Sequence, residues 1–211
     1  MDLINYLNEN YYTKQQLLDL AKISEAELSH FQEKRVMPTC SYKLSLNYLS
    51  DSFFGEFKNH NEIEYYAKGY LSWLGMLQVT TDLEDVFPIF ARRYAESITQ
   101  LKSLGYSSSD AKVNSKLDLH IEEEWGHFLN GIYGLCTKSG LPEDIAAKEL
   151  AVLQISETLA LDKENIDLAQ LTKAVNLLDK SSAMFAPHER LKSSRQRLID
   201  DVRREYKLKS F

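Results

Sequence analysis

The sequence predicts a mainly α-helical protein: an N-terminal helix-turn-helix with a candidate small β-wing, followed by a helical bundle. Three observations predict it. Glycine and proline are scarce, at 8 and 4 in 211 residues, and both disfavour helix interiors. Two helix-start signatures stand close together near the N-terminus. From residue 62 onward, apolar residues recur at helical spacing.

The elements follow in order. Leu3, Ile4 and Leu7 make a first amphipathic turn or two. Thr13-Lys14-Gln15-Gln16 is a T-x-x-Q capping box, opening a helix through Leu17, Leu18, Leu20 and Ala21. Ser24-Glu25-Ala26-Glu27 is a second box, opening a helix with Leu28 and Phe31 that ends near Arg35. Two short helices with so brief a connection form a helix-turn-helix signature. Tyr42 to Tyr48 alternates apolar and polar, as a strand does, although a short helix at 44–50 also fits. Ser50-Asp51-Ser52 is a turn signal and Phe53-Phe54-Gly55-Glu56-Phe57 a candidate return strand. The polar run Lys58-Asn59-His60-Asn61 is the boundary candidate. It divides a 1–58 module from a 62–211 bundle of five or six helices.

Helices are then expected over about 62–78 and 82–104, with Pro88 at the start of the main helix or kinking a longer one and Gly105 as its stop. Ser115 opens the next, which ends before Ser139-Gly140. Leu141-Pro142-Glu143-Asp144 starts another, reaching about Ala160. Segments 168–182 and 187–207 complete the set.

Composition removes several function classes. Hydrophobic residues make up 44% and charged residues 27%, enough to fill a core and exclude global disorder. A net charge of −6 argues against a general polyanion binder but allows a local basic patch. With only Cys40 and Cys136, neither a disulfide framework nor a cysteine-rich zinc module is expected. No signal peptide is visible, and no run reaches the ~18 apolar residues of a membrane span. The expected location is cytoplasmic. P-loop, G-x-G-x-x-G, G-x-S-x-G and H-E-x-x-H patterns are absent, so common nucleotide and hydrolase chemistries find no support.

The stretch Tyr12-Thr13 through Leu20-Ala21 and Ser24 to Leu28, with the exit Glu33-Lys34-Arg35-Val36-Met37-Pro38, resembles the opening of MerR-type winged-helix domains. That resemblance implies a DNA-binding transcriptional regulator with the bundle as sensor. The second helix departs from it, presenting Glu25, Glu27 and Glu33 where phosphate contact would require Lys, Arg, Asn or Gln. The chain as a whole resembles a bacterial family labelled only as natural-product biosynthesis proteins. Met37-Pro38-Thr39-Cys40-Ser41-Tyr42 and Glu124-Trp125-Gly126-His127-Phe128 through Cys136 carry this second likeness. It implies a pathway association without a known mechanism.

One constellation carries candidate chemistry. At about 100° per residue, Leu117, Ile121, Trp125, Phe128, Ile132 and Leu135 share an apolar face. His120, Glu124, His127 and Gly131 run beside it. Glu124 and His127 have the E-x-x-H spacing of di-iron carboxylate bundles. Glu124 reaches either histidine, whereas the two histidines lie roughly 10 Å apart along the axis. His120, Glu124 and His127 are therefore candidates for acid–base catalysis or for a divalent metal. His188, Glu189, Asp110, Glu62 and Glu64 are candidates to complete a mononuclear site. Gly126, Gly131 and Gly134 each cost a helix ~1 kcal/mol, so a neighbour is expected to approach the backbone there.

Two further features suggest partners. Tyr65, Tyr66, Tyr70 and Trp73 are expected on one aromatic helix, packed as core or lining a ligand pocket. Cys136 is expected as a small buried hydrophobe. From His188 onward eight basic residues stand against four acidic ones. That segment suits an acidic protein such as a carrier protein, nucleic acid, or homodimerisation through its narrow apolar stripe. Three functions follow: an accessory component binding a small molecule or partner protein, a regulator, or an enzyme using the histidine–glutamate strip.

Overall fold

The computed structural model describes residues 3–209. Over them the chain is mainly α-helical, with one small antiparallel sheet. Helix α1 (Leu3–Asn10) leads into strand β1 (Tyr11–Thr13). Thr13 then caps α2 (Lys14–Ala21), its Oγ accepting from the Gln16 N–H at 3.3 Å while Gln16 Oε1 accepts from the Thr13 N–H at 2.9 Å. Ser24 and Glu27 repeat the exchange at α3 (Glu25–Glu33), at 3.2 and 2.7 Å. Both expected boxes form because each satisfies orphan helix N–H groups with side chains already adjacent in sequence.

The hairpin is longer than expected. Strand β2 (Tyr42–Ser52) pairs with β3 (Gly55–Ala67), and β1 flanks β3 on the other side. The polar run 58–61 thus lies inside β3 rather than in a linker. The helix expected from residue 62 starts only at α4 (Tyr70–Val79). Tertiary pairing explains the difference: Tyr65 lies opposite both Thr13 and Tyr42, and Tyr65 and Tyr66 are both buried. Beyond the reach of β1, the hairpin is a two-stranded ribbon whose tip exposes Phe53 and Phe54.

Helix α5 (Val86–Ser103) follows a single 3-10 turn, with Pro88 inside its first turn. A missing N–H costs nothing at that point. The helix expected from Ser115 to Lys138 is two helices, α6 (Leu117–Leu129) and α7 (Ile132–Cys136), and Ser115 does not cap it. Gly131 breaks it at φ +73°, where a Cβ would stand 2.7 Å from the Cys40 carbonyl oxygen and 2.8 Å from that of Thr39. Gly134 is pressed by Ser41 Oγ and Tyr70, while Gly126 faces open space. The close approach inferred from the glycines therefore holds at two of the three positions.

Helices α8 (Pro142–Leu159) and α9 (Leu168–Ser181) match expectation, with Pro142 at the first turn of α8 and Asp167 capping α9. Of the single helix expected over 187–207, residues 194–206 wind without a break, through a π-turn at Gln196–Asp200 into α10 (Asp201–Tyr206), whereas the start is a separate 3-10 turn at Arg190–Lys192.

The main core joins the N-terminal elements to helices α4, α5, α6 and α8. Trp73, fully buried, has its ring centroid 4.9 Å from Phe128, 6.3 Å from Trp125 and 6.4 Å from Phe90. Its indole N–H donates to the Val36 carbonyl at 2.8 Å. Leu7, Leu17, Leu28 and Met37 belong to the same buried cluster as Phe90, Ile121, Phe128 and Leu150. A second cluster packs Ala151 and Ile155 of α8 against Leu171, Val175 and Leu178 of α9 and Ile199 and Val202. Among the described residues, no helix is long and apolar enough to cross a membrane.

Candidate functional site

The histidine–glutamate strip lies on α6. His120 and Glu124 are each 4% exposed, whereas the His127 side chain is 53% exposed. His120 Nε2 lies 3.8 Å from Glu124 Oε1, and His127 Nδ1 lies 3.5 Å from the same oxygen. Glu124 therefore stands between the two histidines, as helical spacing requires. Tyr133 of α7 donates its hydroxyl to Glu124 Oε2. That contact depends on the break at Gly131, which folds α7 back beside α6.

The residue that sequence reasoning missed is Glu149 of α8. Its Oε1 lies 3.5 Å from His120 Nε2, and Glu123 Oε2 lies 3.7 Å from His120 Nδ1. Three carboxylates thus surround one imidazole, yet neither ring nitrogen has a hydrogen-bond partner. Burial pushes the Glu149 carboxyl upward, and the Glu124 charge adds to this; His120 and Lys112 pull it back and Asp110 raises it. Tyr94, edge-on to His120 with centroids 6.4 Å apart, is raised by burial and by both carboxylates. Tyr133 is raised by burial and by Glu124. No periodicity marks Glu149, because its pairing with α6 is purely tertiary.

The other candidates are engaged elsewhere. Glu62 pairs with Lys43 at 2.8 Å, and Glu64 accepts from Tyr66 Oη at 3.1 Å. Asp110 accepts from the Lys112 N–H at 2.9 Å. Glu189 accepts from Tyr42 Oη at 2.6 Å, with His188 3.8 Å away. A second E-x-x-H pair, Glu27 and His30, exists in the sequence, but Glu27 serves the Ser24 cap. Among the described residues, no group of three or more His, Cys, Asp or Glu is arranged to hold a metal ion. The metal expectation at His120, Glu124 and His127 is thus left without a ligand set. Cys40 and Cys136 are free thiols, and Cys136 is only partly buried.

Glu149 gives the cluster a pH signature. A carboxyl raised in the folded state keeps its proton to higher pH than in the unfolded chain, so its stabilising contribution is full below the unfolded value of 4.5 and is lost as pH rises above it. Glu149→Gln should therefore gain stability over the native protein as pH climbs from about 4.5 towards neutrality. Denaturant midpoints across that range check this; a loss that grows as pH rises would show that the carboxylate is stabilising instead, and a pH-independent difference would show that its ionisation does not matter.

A cavity of about 230 Å³ opens where α1, β1, α7 and α9 meet the segment before the π-turn. Tyr6, Tyr11, Gly134, Thr137, Ser182 and Arg195 line it, with Lys138 and Asp179. Of the aromatic residues expected to line a pocket, Tyr70 and Trp73 are fully buried core. The basic C-terminal segment is also largely engaged: Arg195 and Arg203 both pair with Asp179, and Arg190 with Asp200 at 3.1 Å.

A family model described as a family of unknown function (DUF6058) matches residues 86–207, from α5 through α10. No curated protein and no solved structure matches the chain.

Proposed function

We propose, for a chain that belongs to this DUF6058 family of unknown function, the role of an accessory component of natural-product biosynthesis that binds a small molecule. One observation carries this reading: a cavity of about 230 Å³ is lined by aromatic side chains, Tyr6 and Tyr11, together with the polar and charged Thr137, Lys138, Asp179 and Arg195, the mixture that small-molecule pockets show. The resemblance stated above supplies the pathway association. The alternative enzyme reading places its acid and base at Glu124 with His120 or His127; none of the three lines this cavity, and of them only His127 is exposed to solvent.

Ligand-observed NMR with a library of one-ring acids, amides and amines tests the reading. Ala183, partly buried at the cavity wall, is replaced by tryptophan to fill it. Compounds that bind the native protein should lose at least about tenfold in affinity, the equivalent of ~1.4 kcal/mol. Absence of any binder, or binding indifferent to Ala183→Trp, would remove the proposal.

A second reading has its own observation. The order α1-β1-α2-α3-β2-β3, with strands arranged β1-β3-β2, supports a helix-turn-helix bearing a wing. Of the acids on α3, Glu25 is paired with Lys14 at 2.5 Å and Glu27 is held by Ser24, which softens their opposition to DNA. A regulator would bind DNA with affinity falling steeply as salt rises. Titration with upstream and random duplexes at two salt concentrations decides this reading.

A further inference from the structure

We infer that the β2–β3 hairpin docks face to face on the hairpin of a second copy of this chain, through the uncharged face of its ribbon and the two phenylalanines at its tip. Residues directly opposite each other in an antiparallel pair share a face, so the register sorts the hairpin into two sides. Its charged residues, Lys43, Asp51, Glu56, Lys58, Glu62 and Glu64, all fall on one of them. Along the ribbon the other side sets Leu46, Tyr48 and Ser50 of β2 against Asn61, Asn59 and Phe57 of β3 and carries no charge.

At its base this uncharged face is already in use. Leu44 and Ile63, opposite each other, pack against the main core, and Tyr65 beyond them is buried. Farther out the same face runs into solvent, with Tyr48 45% and Phe57 58% exposed. At the tip Phe53 and Phe54 are 97% and 95% exposed, their rings edge to face with centroids 5.3 Å apart. The turn itself does not call for them. Gly55 takes its positive φ, at +104°, and Ser52 Oγ accepts from the Phe54 N–H at 3.2 Å. Phenylalanine offers a turn neither kind of help. A two-stranded ribbon is marginal in water unless its apolar face is covered.

Area and charge select the occupant. At ~200 Å² for each aromatic residue, Tyr48, Phe53, Phe54 and Phe57 expose on the order of 600 Å² per chain. Two copies thus bring ~1,200 Å², the lower end of specific interfaces. Interface cores are rich in aromatics and poor in charge, as this face is. A two-fold pairing sets the same patch against itself, and an uncharged face accepts that without like-charge opposition. The opposite face, with four acids against two lysines, does not. A lipid surface fits less well. Asp51 and Glu56 lie opposite each other next to the turn, and insertion of the tip would draw both carboxylates towards hydrocarbon. Face-to-face docking leaves them in water.

Sedimentation velocity of the full chain across the micromolar range tests this. The native protein should approach twice the chain mass of 24.3 kDa as concentration rises. Replacing Phe53 and Phe54 together by serine should raise the dimer dissociation constant at least about tenfold. Both rings are exposed in the single chain, so its circular dichroism should not change. A second pair of variants separates the two faces. Ser50→Lys puts a charge on the uncharged face and should raise the dissociation constant by at least as much. Leu49→Lys, one residue away on the charged face and 56% exposed to begin with, should leave it within about twofold. A chain that stays monomeric throughout would overturn the proposal. So would a dimer indifferent to the tip and to Ser50→Lys, which would place the contact elsewhere. A monomer that sediments with phosphatidylcholine vesicles through Phe53 and Phe54 would give the tip to a membrane instead.

Discussion

Trp73→Ala is expected to lower unfolding stability by about 3–5 kcal/mol, the range for deleting a fully buried aromatic. Trp73 is the meeting point of α4, α5 and α6, with Phe90, Trp125 and Phe128 packed around its ring. It also ties the N-terminal segment to the helices through the hydrogen bond to the Val36 carbonyl. The alanine variant loses the apolar area, creates a cavity too well walled to collapse, and orphans that carbonyl. Trp73→Phe keeps most of the area and loses the N–H, so it should cost clearly less. Urea midpoints for the two variants measure the difference, and equal losses would place the energy in the hydrogen bond rather than in packing. Domains of this size are stable by only ~5–15 kcal/mol, so Trp73→Ala removes a large fraction of the whole.

Gly131→Ala should cost about 2–4 kcal/mol, combining a left-handed backbone penalty with overpacking. At φ +73° the added Cβ meets the Thr39 and Cys40 carbonyl oxygens at 2.8 and 2.7 Å. Those are main-chain atoms and have no rotamer by which to move aside. The Thr39 N–H also donates to the Leu129 carbonyl at 2.9 Å, so the same displacement strains a bond that holds the segment to α6. Because Gly131 sets the angle between α6 and α7, the variant should also disturb the hydrogen bond from Tyr133 to Glu124. Gly126→Ala is the internal control. Nothing lies within 4 Å of its Cβ position, so it should be neutral or stabilising by up to ~1 kcal/mol. Thermal denaturation of both variants checks the pair, and similar behaviour would contradict the close approach at Gly131.

Much of the local structure was legible because its causes are local. Thr13 with Gln16 and Ser24 with Glu27 carry their own capping chemistry, and the helices begin where those residues stand. Pro142 opens α8 and Gly105 ends α5 for equally short-range reasons. The relation of Glu124 to its two histidines follows from 3.6 residues per turn and needs no neighbour.

The misplaced elements share a different cause. Residues 62–67 have apolar spacing compatible with a helix, yet they pair with β1 and β2, so strand partners distant in sequence decide them. The continuous helix expected through Gly131 breaks because the 39–41 loop occupies the space a straight helix would need. The last segment winds as a π-turn where Arg195 and Arg203 converge on Asp179 of α9.

By itself the sequence determined the mainly helical class, the two capped helices and the one-sided strip of His120, Glu124 and His127. These depend on backbone propensity, side-chain caps and helical periodicity, each acting within a few residues. Only the tertiary structure decided that Glu149 completes the carboxylate ring around His120. It alone placed Arg195, Ser182 and Tyr6 around one cavity and left two buried guanidinium nitrogens unpaired. Burial and charge balance depend on which distant segments meet in space, and no spacing along a single chain encodes that meeting in readable form.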